Sequence, residues 1–275
     1  LKSLLGIELT QNGDFDEAIR VFEQALKIKP EYAEVYNGIG TVLMGKGDLD
    51  AAIDSYKEAL EIKPDYVDAY FNMGNALKDK GKLDVAIDSY KQALKIKPDY
   101  AEAHNNIGNV LRQKGDLEAA IESFKQAVKI KPDDAEIYNN MAVVLTDMSY
   151  FDAAIENLKK AIKIKPDYAD AHNNIGVALQ DKDDFDGAID SYKRAIKINP
   201  DKVNAHSNMG VALQAKGEPY AAIDSYKQAL KIKPDYAEIW NNVLYPLQAI
   251  KLQTSSVEDF LPLLDEQEIC KYAQI

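Results

Sequence analysis

Asparagine at a fixed spacing is the chemistry-bearing pattern in this chain of 275 residues. Asn72, Asn106, Asn140, Asn174, Asn208 and Asn242 follow one another at intervals of 34, and Asn37, Asn105, Asn139, Asn173 and Asn241 recur one position earlier in the same period. An amide side chain carries two donors and one acceptor, so it can pair with a polypeptide backbone whatever side chains that backbone bears. It can equally bond a neighbouring helix and fix how helices stack. The sequence leaves both roles open. Asn is a weak residue for a helix interior, so a ladder of it has a cause beyond helix formation.

Other reactive residue types are not arranged for catalysis. His104, His172 and His206 occupy the site filled elsewhere by Tyr36, Tyr70, Tyr138 or Trp240, each at least 34 residues from the next. They read as packing residues, not zinc ligands, and no metal or cofactor is expected. Acidic pairs such as Asp183-Asp184 read as solvated caps, and no phosphate-cradling loop or Ser–His–Asp set is found. Cys270 stands alone, which rules out an intrachain disulfide. No catalytic activity is expected.

The same period organises the whole chain. Pro30, Pro64, Pro98, Pro132, Pro166, Pro200 and Pro234 are each 34 residues apart. With Ala33–Tyr66 as the reference block, Tyr36, Ile39, Gly40 and Leu43 at block positions 4, 7, 8 and 11 mark one helix face. Positions 17, 20, 21, 24, 27 and 28 mark a second, as in Leu117, Ala120, Ile121, Phe124, Ala127 and Val128. Gly47, Gly81, Gly115 and Gly217 at position 15 suit the left-handed end of the first helix, and Pro219 suits the first turn of the second. The Ile-Lys-Pro-Asp run ends helix two, and Asp65, Asp99 and Asp133 are expected to cap the next block. Gly40, Gly74, Gly108, Gly176 and Gly210 at position 8 permit close helix approach, with the aromatic residue of position 24 filling the gap between blocks. The block 169–202 is expected to be the least regular, with Asp183 in place of glycine and Gly187 inside its second helix.

These residues resemble the tetratricopeptide repeat signature. The resemblance covers 1–236 as seven blocks, the first lacking its first two residues, with a lone helix at 237–251 and a helical capping segment at 252–275. It implies an all-α, right-handed superhelical solenoid with a concave groove, binding protein or peptide. The asparagines of position 6 resemble those of the O-linked N-acetylglucosamine transferase repeats, which hold extended polypeptide. Leu1 falls at position 3 of a block, so the chain reads as a fragment; a glycosyl- or sulfotransferase domain, if joined to such an array, lies outside these residues.

Rotation at 100° per residue turns positions 4, 7, 8 and 11 inward and packs positions 3 and 10 on the adjoining block. Positions 2, 5, 6, 9, 12 and 13 are left as the unburied face of the first helix. The candidate groove residues are therefore Asn72, Asn75, Asn105, Asn106, Asn109, Arg112, Asn139, Asn140, Asn173, Asn174, Asn208 and Asn242. Over 33–251 that face carries nine acids (Glu34, Asp68, Asp79, Glu102, Glu136, Asp147, Asp170, Asp181, Glu238) against Lys78 and Arg112. A neutral or basic extended segment is the expected ligand, and the basic carboxylate clamp of chaperone-binding relatives is missing. The net charge of −12 argues against nucleic acid, and no run of about 18 apolar residues is present to span a membrane. The lone thiol fits a cytoplasmic setting. Three functions follow: a non-catalytic peptide-binding scaffold, a substrate-targeting arm of a larger transferase, or a scaffold self-associating through its ends.

Overall fold

The computed structural model describes residues 2–236 together with Ile239 and Asn242. It consists of α-helices joined by short turns, with no strand among the described residues. Two units divide the chain, Leu1–Asp133 and Asp134–Ile275. The first holds α1 (Lys2–Asn12), α2 (Phe15–Ile28), α3 (Ala33–Gly45), α4 (Leu49–Ile62), α5 (Val67–Asp79), α6 (Leu83–Ile96), α7 (Ala101–Lys114) and α8 (Leu117–Ile130). The second holds α9 (Ala135–Asp147), α10 (Phe151–Ile164), α11 (Ala169–Gln180), α12 (Phe185–Ile198), α13 (Val203–Ala215) and α14 (Pro219–Ile232). Within each unit every odd-numbered helix pairs with the even-numbered helix after it, and successive hairpins stack, as in an all-α solenoid. The lone helix at 237–251, apart from the helical Ile239 and Asn242, and the capping segment at 252–275 lie outside the described residues.

The hairpin turn is built from one leucine and one left-handed residue. Asp48 N donates to Leu43 O and Gly47 N to Met44 O, with Gly47 at φ 80°. That is the paired closure of a Schellman end, which satisfies carbonyls the helix leaves open. It recurs where the left-handed residue is not glycine: Ser149 at φ 63° and Asp183 at φ 61°. Asp183 was expected to depart from the pattern; Ser149 does so equally.

Capping differs from the sequence expectation. The residues preceding α5 and α7 are Tyr66 and Tyr100, which make no side-chain cap, and Asp134 caps α9 by accepting from Glu136 N at 3.0 Å. Asp65, Asp99 and Asp133 stand one residue too early, inside the turn that the proline forces. The effective caps sit at the hairpin turn, where Asp48, Asp116 and Asp184 accept from Ala51, Ala119 and Gly187 N. Pro219 opens α14 as expected.

Glycine at position 8 and the aromatic residue at position 24 meet within one hairpin. A methyl group on Gly40, Gly74, Gly176 or Gly210 would lie 2.4–2.6 Å from a ring carbon of Tyr56, Tyr90, Tyr192 or Tyr226. The ring thus fills its own hairpin, beyond the inter-block role assigned from sequence. In α9/α10 the pair is Ala142 with Leu158, both fully buried, so a shorter side chain accompanies the added methyl. Ala69, Ala76, Val110, Ile137 and Val144 are buried on the second flank, as expected.

Two periodic surface features follow from the repeat. Lys46, Lys80, Lys114, Lys182 and Lys216 each pair with an aspartate thirty residues earlier: Asp16, Asp50, Asp84, Asp152 and Asp186. Each pair ties the first helix of one hairpin to the second helix of the hairpin before it. In the inter-block turns, Lys29, Lys63, Lys97, Lys165 and Lys233 lie 4.7–5.1 Å over the rings of Tyr32, Tyr66, Tyr100, Tyr168 and Tyr236. A cation over a ring contributes roughly 0.5–1 kcal/mol at an exposed site, which gives the Lys-Pro-Asp-Tyr run, Lys-Pro-Glu-Tyr at 29–32, a physical reason.

Candidate peptide-binding face

The odd-numbered helices carry the candidate residues, and the structure joins them into bonds between hairpins. Asn72 Nδ2 donates to Asn37 Oδ1 at 3.1 Å in the first unit. In the second, Asn174 donates to Asn139 at 2.9 Å and Asn208 to Asn173 at 3.2 Å. The donor is the asparagine of position 6 and the acceptor that of position 5 in the hairpin before. Where position 5 is Phe71, Asn106 turns instead to Asn75 Oδ1 at 2.8 Å. The Tyr90 hydroxyl donates to the same oxygen at 2.7 Å.

Burial separates the two series. Asn105, Asn139 and Asn173 are only 8, 7 and 7 % exposed. Helical rotation places them on the unburied face, but their row meets the following hairpin, where Asn139 accepts from Asn174 and Asn173 from Asn208. They support the face from beneath. Asn72, Asn75, Asn106, Asn109, Asn140, Asn174, Asn208 and Asn242 are half-buried, and Arg112 is exposed. Asn174 also accepts from Asn173 Nδ2 at 3.2 Å, so its amide is held from two sides. An amide donating once retains a second N–H.

The acidic rim is partly neutralised. Glu34 faces Lys63 at 3.8 Å, Glu102 faces Lys131 at 3.4 Å, Asp170 faces Lys202 at 2.5 Å and Asp79 faces Lys78 at 3.4 Å. Three of these lysines come from the inter-block turns, which the sequence count of the face omitted. Asp181 is different: burial pushes its carboxyl above the ordinary aspartate range, with no cation opposing that shift. Burial likewise pushes the Tyr66 and Tyr100 hydroxyls up to about 12, with the carboxylate of Asp68 adding to each. Glu238, Trp240 and Asn241 lie outside the described residues.

The histidines are packed, each against a proline carbonyl of the turn before it. Nε2 lies 3.3 Å from Pro98 O in His104 and 2.9 Å from Pro200 O in His206, and His172 bonds the Pro166 backbone. A carbonyl only accepts, so Nε2 carries the proton in His104 and His206. Burial lowers the His172 pKa, keeping that ring neutral. Among the described residues no three His, Cys, Asp or Glu side chains are grouped to hold a metal ion.

Comparison with known families resolves what this repeated architecture is. Profiles described as TPR repeat match residues 6–47, 40–81, 74–111, 108–149, 144–183 and 181–217, and one described as Tetratricopeptide repeat matches 203–236. The chain belongs to the tetratricopeptide repeat family. None of the curated proteins matches it. Among solved structures, a tetratricopeptide repeat protein from Parabacteroides merdae superposes with TM-score 0.72 at 16 % identity, over 90 % of this chain and 99 % of that one. The APC/C Cut9–Hcn1 hetero-tetramer gives 0.72 at 19 %, over 89 % of this chain, which spans 48 % of the length of that one. YrrB, described as a TPR protein with an unusual peptide-binding site, gives 0.55 at 26 %, over 71 % and 97 %. The first two likenesses concern the fold alone. Tetratricopeptide repeat proteins generally mediate protein–protein interaction, and no helix among the described residues is long and apolar enough to cross a membrane.

Proposed function

We propose that this tetratricopeptide array is a non-catalytic interaction module that holds an extended polypeptide segment of a partner along the exposed strip of its odd-numbered helices. The observation that carries this reading is the row of half-buried asparagines whose amides are fixed by bonds to the preceding hairpin, as in Asn174 to Asn139 and Asn106 to Asn75. Fixed amides present their remaining N–H groups without losing rotamer freedom on binding. The peptide-binding site in the description of YrrB supports the same use of the fold. A neutral or basic segment suits the rim best, although the turn lysines reduce the preference that a count of nine acids implies.

Substitution of Asn109 tests the reading cleanly. It is half-buried on the strip, and no inter-hairpin bond holds it. Asn109→Ala is expected to weaken capture of peptides from an arrayed library while the melting temperature stays constant. Unchanged capture by the folded variant would reject the strip as the binding face. A second reading, self-association, is favoured by the exposure of Leu4, Leu5 and Ile7 on α1. Sedimentation that remains monomeric at high concentration would reject it.

A further inference from the structure

The strip changes character between the two units. Position 9 is Asn75 and Asn109 in the first unit but Val143, Val177 and Val211 in the second, all half-buried. On α11 and α13, Val177 and Val211 stand three residues after Asn174 and Asn208, one helical turn along the same face. Gln180 and Gln214 continue that face, their amide oxygens near the buried Tyr192 and Tyr226 hydroxyls at 3.2 and 3.5 Å. Asp181 borders the strip; Lys182 beside it pairs with Asp152 and Lys202 with Asp170, and among the described residues no lysine or arginine forms an ion pair with Asp181.

We infer that the second unit selects a partner segment in extended, polyproline-like conformation with an apolar side chain at every third residue and a basic residue beside them. This rests on the polypeptide-binding reading above. The Asn174–Asn139 and Asn208–Asn173 bonds bring neighbouring odd-numbered helices into direct contact, a spacing of about 8–10 Å between axes. A polyproline-like chain advances about 3.1 Å per residue with three residues per turn, so every third side chain returns to one face after roughly 9 Å. That pitch fits one apolar side chain over each valine. A β-strand fits less well, because its third residue points to the opposite face. Asp181, raised toward protonation by burial, gains its missing cation from a lysine or arginine of the segment.

Three labelled synthetic peptides of equal length test this by fluorescence anisotropy. One has valine at every third place with lysine and serine between; the second has the same composition with its valines contiguous; the third has serine for valine. The first is expected to bind about tenfold more tightly than the others, about 1.4 kcal/mol. The triple variant Val143→Asn, Val177→Asn, Val211→Asn, which copies the first unit, is expected to erase that preference while retaining the weaker binding. Should the triple variant melt early, Val177→Asn alone should reduce the preference. Asn174→Ala with Asn208→Ala is expected to weaken all three peptides together. Equal binding of the three peptides to the unaltered chain, with loss in the asparagine variant, overturns the valine inference and leaves the binding reading standing. Failure of every peptide to bind at millimolar concentration overturns both.

Discussion

Gly176 is the position where the packing argument can be made to fail most visibly. A Cβ there would sit 2.4 Å from Tyr192 Cε1 and 2.7 Å from Cδ1, against an ordinary carbon–carbon contact of about 3.5–4.0 Å. The ring must therefore retreat by about 1 Å, and it is fully buried among α11, α12 and α13. Overpacking of this kind costs about 1–3 kcal/mol. Replacing glycine by alanine in a helix returns roughly 0.5–1 kcal/mol. Gly176→Ala is thus expected to destabilise by about 1–2 kcal/mol, read as a lower urea midpoint in far-ultraviolet circular dichroism. The partner substitution is suggested by the chain itself, because the α9/α10 hairpin already carries Ala142 with Leu158. Tyr192→Leu alone should cost about 2 kcal/mol, since it leaves a cavity and removes the hydroxyl donor to Gln180. The double variant should fall short of the summed losses by about 1 kcal/mol or more. Additive effects, or a Gly176→Ala protein as stable as the parent, would show that the ring has slack and that glycine at this position is not a packing requirement.

Three further outcomes are expected. Gly187→Ala should stabilise by up to about 1 kcal/mol, because the atom in its way, Asp184 Oδ2, ends an exposed side chain, and Ala51 and Ala119 keep the same cap elsewhere; a lower urea midpoint would contradict this. The Asp50 carboxyl is held below its ordinary range, first by its hydrogen bond from Lys80 and then by the Lys80 charge. Its contribution is therefore present above the ordinary carboxylate pKa and lost as pH falls, so Lys80→Met should lower the melting temperature at neutral pH and low salt but not in acid. The Tyr56, Tyr66, Tyr100, Tyr168 and Tyr226 hydroxyls are pushed up to about 12 by burial. Their neutral form stabilises the fold fully below about pH 10, and that contribution fades as pH climbs toward 12. Ultraviolet titration at about pH 11 should show far less tyrosinate in the native chain than in urea.

Much of the fold was legible because the repeat states each requirement several times. Seven prolines in one register, the leucine of each hairpin turn and the glycine of most of them fix where helices end without reference to tertiary contacts. Ser149 escaped notice because it meets a backbone requirement that glycine merely meets more cheaply. Burial of Asn105, Asn139 and Asn173 was not legible from helical rotation, which treats a helix as having one packed side. In a stack, each odd-numbered helix touches its own hairpin partner and also its neighbours in adjacent blocks. The lysine–aspartate ladder was missed for a related reason: its partners lie thirty residues apart, in different hairpins, and neither is unusual locally.

The exchange around Phe71 shows what the asparagine row requires. A buried or half-buried amide donor left without an acceptor costs about 1–3 kcal/mol, and Phe71 removes the acceptor that Asn106 would otherwise meet. The structure recovers it one turn along, from Asn75, whose oxygen also takes the Tyr90 hydroxyl. The bond between hairpins is thus retained while the residue supplying it moves from position 5 to position 9. That move has a price for the surface: the Asn75 oxygen accepts two donors from its own fold and has little capacity left for a ligand. Asn109, one hairpin later on the same strip, carries no such pair of bonds. Stacking and presentation are therefore distributed unevenly along the row. Any ligand held by the first unit meets its most available amide at Asn109, whereas the second unit offers valine at the same place.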